Sequence, residues 1–417
     1  MNEIQHCAID IAAGCNYDWV VENLVNGNLL KPYINLPPAA GALYSHIAIN
    51  KIIEEELLHD HFEITTANNK SLKSMSSGEQ KKALLQYIIS KKPGFIVIDN
   101  VLDNLDTAAQ ENIIASLKTI AATTLIVQVV NRKKDILPFI EKIFSIQNNI
   151  IIKDESIVSY LNAATTIHAN HFFENIPPAL HAYTLPAGPL VQLHDVSVSY
   201  EERQILDQIN WTINAGEFWQ LAGPNGSGKS TILSLITGDS PKGYGQDLVL
   251  FGIKKGSGEA VWDIKQNIGY LNATMAQFFS RLDSVEKMVL SGLFDSIGLY
   301  VVPNETQIKT AQAWLQLIGL YEDRNKPFCF LPLGKQRMVL VARAMIKHPP
   351  LLILDEPASG LDDYNIMLFT TLINKIAAES NTAILYVSHR PEAGLTPRFV
   401  FNLLPGENGS TGVIQNS

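Results

Sequence analysis

Gly223-Pro224-Asn225-Gly226-Ser227-Gly228-Lys229-Ser230 has the spacing G-x-x-x-x-G-K-[ST], and its surroundings decide the fold. Gln220-Leu221-Ala222 ends an apolar, strand-like run before it, and Thr231-Ile232-Leu233-Ser234-Leu235-Ile236 opens a helix after it. A strand that turns through glycines into a helix aims successive backbone N–H groups at one point, where phosphate oxygens are held. In that arrangement Lys229 reaches the β and γ phosphates and the Ser230 hydroxyl ligates Mg²⁺. Downstream, Leu351-Leu352-Ile353-Leu354 is a short apolar run of the buried parallel type, closed by Asp355-Glu356. Strand C-termini gather beside the phosphate loop in a doubly wound sheet. Asp355 is therefore expected to hold Mg²⁺ through water, and Glu356 to orient and polarise an attacking water.

The same pattern occurs twice. Ser76-Ser77-Gly78-Glu79-Gln80 parallels Pro332-Leu333-Gly334-Lys335-Gln336, Phe95 to Asn100 parallels Leu351 to Glu356, and Asn104-Leu105-Asp106 parallels Gly360-Leu361-Asp362. All three pairs share one offset: 332 − 76, 355 − 99 and 362 − 106 each give 256. A fourth pair, Asn131 with His389, fits after a two-residue slip (389 − 131 = 258). Each apolar run follows a helical stretch (Lys81 to Ser90, Gln336 to Lys347) that ends near a proline, Pro93 or Pro349. The chain is a tandem duplication of an α/β unit.

Composition bounds the rest. A chain of 417 residues exceeds one compact core. With 46% hydrophobic and 18% charged residues, it is not disordered, collagen-like or a coiled coil. The net charge, 32 − 41 = −9, argues against a broad basic surface for nucleic acid. Cys7, Cys15 and Cys329 have no metal-ligand spacing and suit a reducing cytosol. The start shows no basic region followed by an apolar run, and no stretch approaches the roughly 20 apolar residues of a membrane helix. A cytoplasmic, multidomain protein is expected.

Taken in order, the phosphate loop, the glycine-centred peptide before a helix, the Asp355-Glu356 strand, Ser359-Gly360-Leu361-Asp362 and Ser388-His389 resemble the motif series of an ATP-binding-cassette (ABC) ATPase. The resemblance covers nearly all of residues 189–400 and, in damaged form, roughly 10–135. It implies a tandem pair of phosphate-loop NTPase domains, each an α/β mixed-sheet core flanked by helices with a helical subdomain. ATP and Mg²⁺ are the implied cofactors, with ATP held between one domain's phosphate loop and the other's signature peptide. By resemblance, Tyr200 stacks on adenine, and Gly223, Pro224, Asn225, Gly226, Ser227, Gly228, Lys229, Ser230 and Thr231 surround the phosphates. Ser230 and Asp355 take the metal, Glu356 is catalytic, and His389 contacts the γ-phosphate and holds Glu356. Trp262 to Lys265, Leu290 to Gly298 and Gly252 to Gly258 look like the tandem ABC ATPases grouped with molybdate transport, the ModF type.

The departures from that pattern carry information. The first copy contains no G-K-[ST]. Two alignments of its start stay open. One sets Ile11-Ala12-Ala13-Gly14 beside Ile213-Asn214-Ala215-Gly216; the other matches Gly27 to Gly238 (238 − 27 = 211) and puts Asp18 where Lys229 stands. Asn100 and Asn131 replace the catalytic carboxylate and the histidine. Its signature peptide survives, however, with Ser76 and Gly78 able to approach a γ-phosphate at a helix N-terminus. The second copy shows the opposite wear, Pro332 replacing that serine and Leu333 adding bulk. Head-to-tail pairing would gather Lys229, Ser230, Asp355, Glu356 and His389 opposite Ser76 and Gly78 in one complete site. All the losses then fall in the other. Where the family places a glutamine after an Ile-Gly-Tyr strand, Asn272-Ala273 stands here; Asn272 and Gln277 are the two candidate substitutes.

The expected division is a shortened, degenerate domain over 1–150, a linker over 151–188 and an intact ATPase domain over 189–417. The expected role is an ATPase subunit powering a separate transmembrane permease of the molybdate type, peripheral at the inner face of the plasma membrane. The alternative is a soluble non-transport ABC ATPase, translation-factor-like or DNA-repair-like. Residues 135–188 hold two lysines, no arginine and five acids, which argues against rRNA as partner.

Overall fold

The short apolar runs become parallel strands buried along their length. In the computed structural model, residues 4–416 are described apart from 13–14, 38–39, 60–63, 65–70, 104, 163–171, 173, 182, 184–186, 280–281 and 390. Gly14 and Asn104, used in the repeat alignment, lie outside the described residues. The chain forms two compact units, Met1–Ile167 and His168–Ser417.

The first unit runs β1 (Cys7–Ile11), α1 (Tyr17–Val25), β2 (Ala42–Ser45), α2 (His46–His59), α3 (Ser77–Ser90), β3 (Phe95–Asp99), α4 (Thr107–Ala121), β4 (Leu125–Val130), β5 (Lys142–Gln147), β6 (Ile150–Ser156) and α5 (Ile157–Asn162). Its strands lie in the order β2-β3-β4-β1-β5-β6. All neighbours are parallel except the final antiparallel pair. Thus β6, within the stretch assigned to the linker from sequence, forms the edge of this sheet.

The second unit runs β7 (Val191–Tyr200), β8 (Arg203–Ile213), β9 (Phe218–Ala222), α6 (Lys229–Ile236), β10 (Asp247–Leu250), β11 (Ile253–Lys254), α7 (Val261–Lys265) and β12 (Ile268–Asn272). It continues through α8 (Val285–Ser291), α9 (Glu305–Leu317), α10 (Leu333–Met345), β13 (Leu351–Asp355), α11 (Asp363–Glu379), β14 (Ala383–Val387), β15 (Phe399–Leu404) and β16 (Thr411–Asn416). Its main sheet, β12-β13-β14-β9-β15-β16, repeats the first unit's order strand for strand, including the antiparallel last pair. The repeated aspartates explain one boundary. Asp106 and Asp362 cap α4 and α11, accepting from Ala109 N at 2.9 Å and Asn365 N at 2.7 Å.

Only the second unit, among the described residues, adds a four-stranded antiparallel sheet, β11-β10-β7-β8. The two sheets and α6 enclose one core, in which Trp211 stacks on Phe401 at 4.2 Å between centroids. Helices α8, α9 and α10 pack on the other side around Trp314, Phe328 and Met338. Phe172 and Ile176 pack against that core, and the Tyr183 hydroxyl donates to Gln266 O at 3.2 Å. These residues before β7 are therefore bound to the second unit.

Candidate active site

The phosphate loop sits at the C-terminal end of β9, between the ends of β14 and β15. Two glycines are dictated by close approach. Gly223 has φ +153°, and a Cβ there would lie 3.0 Å from Leu403 O; at Gly228, φ +95°, it would lie 2.7 Å from Leu206 Cδ2. The backbone thus turns tightly against β15 and β8, bringing its amides inward. Pro224, Asn225 and Gly226 are exposed, whereas Ser227 is fully buried, its Oγ making no hydrogen bond among the described residues. Lys229 Nζ donates to Gly223 O at 2.7 Å and Pro224 O at 3.0 Å, so the ammonium stays at the loop.

Asp355 and Ser230 line the same cavity, about 450 Å³, with Tyr270 on its wall. Burial pushes the Asp355 carboxyl above its ordinary range. The Tyr270 hydrogen bond opposes that rise, Glu356 adds to it, and Lys229 opposes it. The Tyr270 hydroxyl donates to Asp355 Oδ2 at 3.2 Å. A serine hydroxyl and one carboxylate suit Mg²⁺, which binds through few protein oxygens and completes its shell with phosphate oxygens and water.

Glu356 has φ +47°, a left-handed conformation that costs a non-glycine residue about 1–2 kcal/mol. Its backbone N–H donates to Val387 O at 3.0 Å, which holds the turn against β14. His389 Nδ1 lies 3.1 Å from both Glu356 oxygens. Because the carboxylate accepts, Nδ1 carries the proton. The remaining nitrogen, Nε2, is buried and makes no hydrogen bond among the described residues. The site thus presents a strained carboxylate, oriented by an imidazole whose second nitrogen is uncommitted.

The first unit shows how an equivalent site closes. β1 lies between β4 and β5 as β9 lies between β14 and β15, so α1 occupies the position of α6. Strand register pairs Ile9 with Val129 and Leu221 with Val387, giving 221 − 9 = 212. At the helix ends Gly27 (φ +71°) and Gly238 (φ +76°) give 211. This agrees with the second of the two sequence alignments and corrects the first, since Ile11 ends a central strand rather than a β8-like one. The first unit carries one extra residue between strand and helix end (27 − 9 = 18 against 238 − 221 = 17), placing Tyr17 or Asp18 where Lys229 stands. The Tyr17 hydroxyl hydrogen-bonds Asp99 Oδ1, and Asp99, the counterpart of Asp355, is only 5% exposed. Burial raises the Asp99 carboxyl as well. Asn100 keeps the left-handed turn of Glu356 at φ +50°, which asparagine adopts at lower cost.

The two signature peptides differ in kind. Ser76 caps α3 in a reciprocal box: its N–H and hydroxyl both donate to Glu79 Oε2 at 2.8 Å, and its Oγ accepts from Glu79 N at 3.4 Å. Pro332 opens α10 with no side-chain cap. Among the described residues, a Cβ on Gly78 would meet nothing closer than Leu105 Cδ2 at 3.8 Å, whereas one on Gly334 would strike Asn365 Oδ1 at 2.0 Å. Gly334 is needed by its own unit's packing; no described residue requires Gly78.

Tyr200 ends β7, 45% exposed, with Lys242 Nζ 5.6 Å from its ring centroid. It is not among the residues lining the cavity of about 610 Å³ beside Gly226, which is walled by 202–205 and the 405–410 turn. No sequence motif marks that turn. It is held by Ser410 N donating to Ile205 O at 2.9 Å, a contact across about 200 residues that no motif encodes. Of the glutamine substitutes, Asn272 pairs in register with Asp355, while Gln277 is exposed in the following turn.

Residues 206–359 match the ABC transporter family. The chain is 37% identical over 359 residues to the ABC transporter ATP-binding protein ModF of Escherichia coli, spanning 82% of this chain and 73% of that one. An uncharacterized ABC transporter ATP-binding protein of Schizosaccharomyces pombe is 27% identical over 328 residues, 76% of this chain and 66% of its own length. The zinc uptake system ATP-binding protein ZurA of Listeria innocua is 32% identical over 203 residues, 48% and 76% of the two chains. With that identity across nearly three quarters of a relative's length, and the loop and strand-end carboxylates placed as they are, the chain belongs to the ABC transporter ATP-binding proteins, a family of ATPases.

Proposed function

We propose that the protein hydrolyses ATP at one composite site, formed by the second unit's phosphate loop and the first unit's signature peptide, and that this drives a separate membrane permease. The observation carrying this reading is Gly78. Glycine costs a helix interior about 1 kcal/mol relative to alanine and gives no gain in a first turn, and none of the described residues requires Gly78. Its retention is explained if a phosphate must approach α3 closely from outside the unit. Ser76 beside it offers a hydroxyl at a helix N-terminus.

Within that site Lys229 and the loop amides bind the β and γ phosphates, and Ser230 and Asp355 would hold Mg²⁺, which supplies charge neutralisation on the phosphates. Glu356 accepts hydrogen bonding from the attacking water and His389 keeps it oriented, its Nε2 available to a γ-phosphate oxygen. Among the described residues no helix is long and apolar enough to cross a membrane. In this reading the spanning part is another polypeptide, and this protein is peripheral to it at the inner face of the plasma membrane. The names of ModF and ZurA place those relatives with transporters, and the sequence resemblance points to a permease of the molybdate type.

Titration of the full chain with a non-hydrolysable ATP analogue should saturate at one nucleotide per chain. Saturation at two would show that the first unit binds nucleotide despite Tyr17 and Asn100, and would overturn the single-site reading.

A further inference from the structure

We infer that Tyr270 is the positioning residue for the metal carboxylate, and that Asn272 and Arg337 fix the strand end that carries it. The inference rests on Asp355 being the Mg²⁺ ligand. The Tyr270 hydroxyl reaches Asp355 Oδ2 from within the sheet, at 3.2 Å. Two residues on, the Asn272 Oδ1 accepts from Thr274 Oγ1 at 3.3 Å. Asn272 stands directly beside Asp355 in the parallel pairing, and Ala273 N donates to Asp355 O at 3.2 Å.

This end of β12 is pinned from the helical side. Arg337, on α10 and 2% exposed, donates from Nη1 to Asn272 O at 3.1 Å and from Nη2 to Ala273 O. A buried guanidinium spent on two backbone carbonyls fixes the strand end rather than binding a ligand of its own. The strand end that carries Tyr270 is therefore tied to α10 through Arg337 and to Asp355 through Ala273 N.

The first unit supplies an internal contrast. Leu43 stands at the register of Tyr270, pairing with Val97 as Tyr270 pairs with Ile353 (353 − 97 = 256). The phenol on Asp99 comes instead from Tyr17, on the helix that replaces the phosphate-loop helix. There the tyrosine lies on the side where Lys229 and Ser230 stand in the second unit. Both strand-end aspartates receive a phenol, but only at Asp355 does it come from the sheet, leaving the loop side to metal and phosphate. Partners behind a metal ligand commonly contribute about 10-fold or more to metal affinity.

The test uses the full chain with a non-hydrolysable ATP analogue and Mn²⁺ as the probe, followed by electron paramagnetic resonance. Tyr270→Phe should weaken Mn²⁺ about 10-fold, while analogue affinity in EDTA and the thermal midpoint stay near wild type. If Asp355→Asn loses Mn²⁺ but Tyr270→Phe does not, the inference fails and the metal assignment stands. If neither variant changes Mn²⁺ affinity, the assignment of Asp355 fails first. Equal loss of analogue binding in EDTA would mark general distortion and also overturn the positioning role.

Discussion

Replacing Glu356 with glutamine should leave ATP bound and lower its hydrolysis by at least about 100-fold, the usual contribution of a positioned base. The amide keeps the size of the side chain and one acceptor oxygen for His389, so the left-handed turn at φ +47° and the Val387 bond survive. What is lost is the anionic acceptor for the water. Single-turnover hydrolysis alongside nucleotide retention on a filter separates the two effects. Turnover within threefold of wild type would remove Glu356 from the reaction. A variant that no longer holds ATP would instead assign it to binding.

The second large effect is expected far from the phosphate loop in sequence. Ser76→Arg should reduce hydrolysis about 100-fold or more, on the scale of losing a donor to developing charge, while ATP affinity falls only slightly. Lys229 and the loop amides stay intact in that variant. Loss of the capping box should cost the first unit about 1 kcal/mol, visible as a lower denaturation midpoint. Gly78→Ala distinguishes a structural from a functional cause. Alanine is the better helix former and meets only Leu105 Cδ2 at 3.8 Å, so the first unit should gain up to about 1 kcal/mol while hydrolysis falls. Stability and activity moving in opposite directions is the signature of a glycine kept for approach. Wild-type turnover in both variants would refute the composite site.

Much of this was legible because the informative pieces are contiguous. Gly223 to Ser230 forms its loop from adjacent residues, and the buried run Leu351 to Leu354 needs no distant partner to be recognised as a strand. The constant offset between copies likewise required only counting. The four-stranded antiparallel sheet was less legible. β7 and β8 change register between Leu193 and Val196 and again near Val198, with Asp195 and Gln208 at positive φ. Each bulge breaks the period-two alternation that marks a half-buried strand. The seven-residue β6 edge, mostly exposed, lacks that alternation too, and so reads as linker from sequence.

The sequence by itself determined the family fold, the nucleotide chemistry and which motifs each copy had lost, since each of those is written in residues a few positions apart. Tertiary structure decided which tyrosine reaches which carboxylate. Tyr17 and Asp99 are 82 residues apart, and Tyr270 and Asp355 are 85 apart. No spacing rule reports that one phenol arrives from a helix and the other from a strand. It decided as well that Gly334 is demanded by Asn365 while Gly78 is demanded by none of the described residues. Motif matching treats those two glycines as equivalent; the space around each backbone atom, which depends on residues distant in the chain, does not.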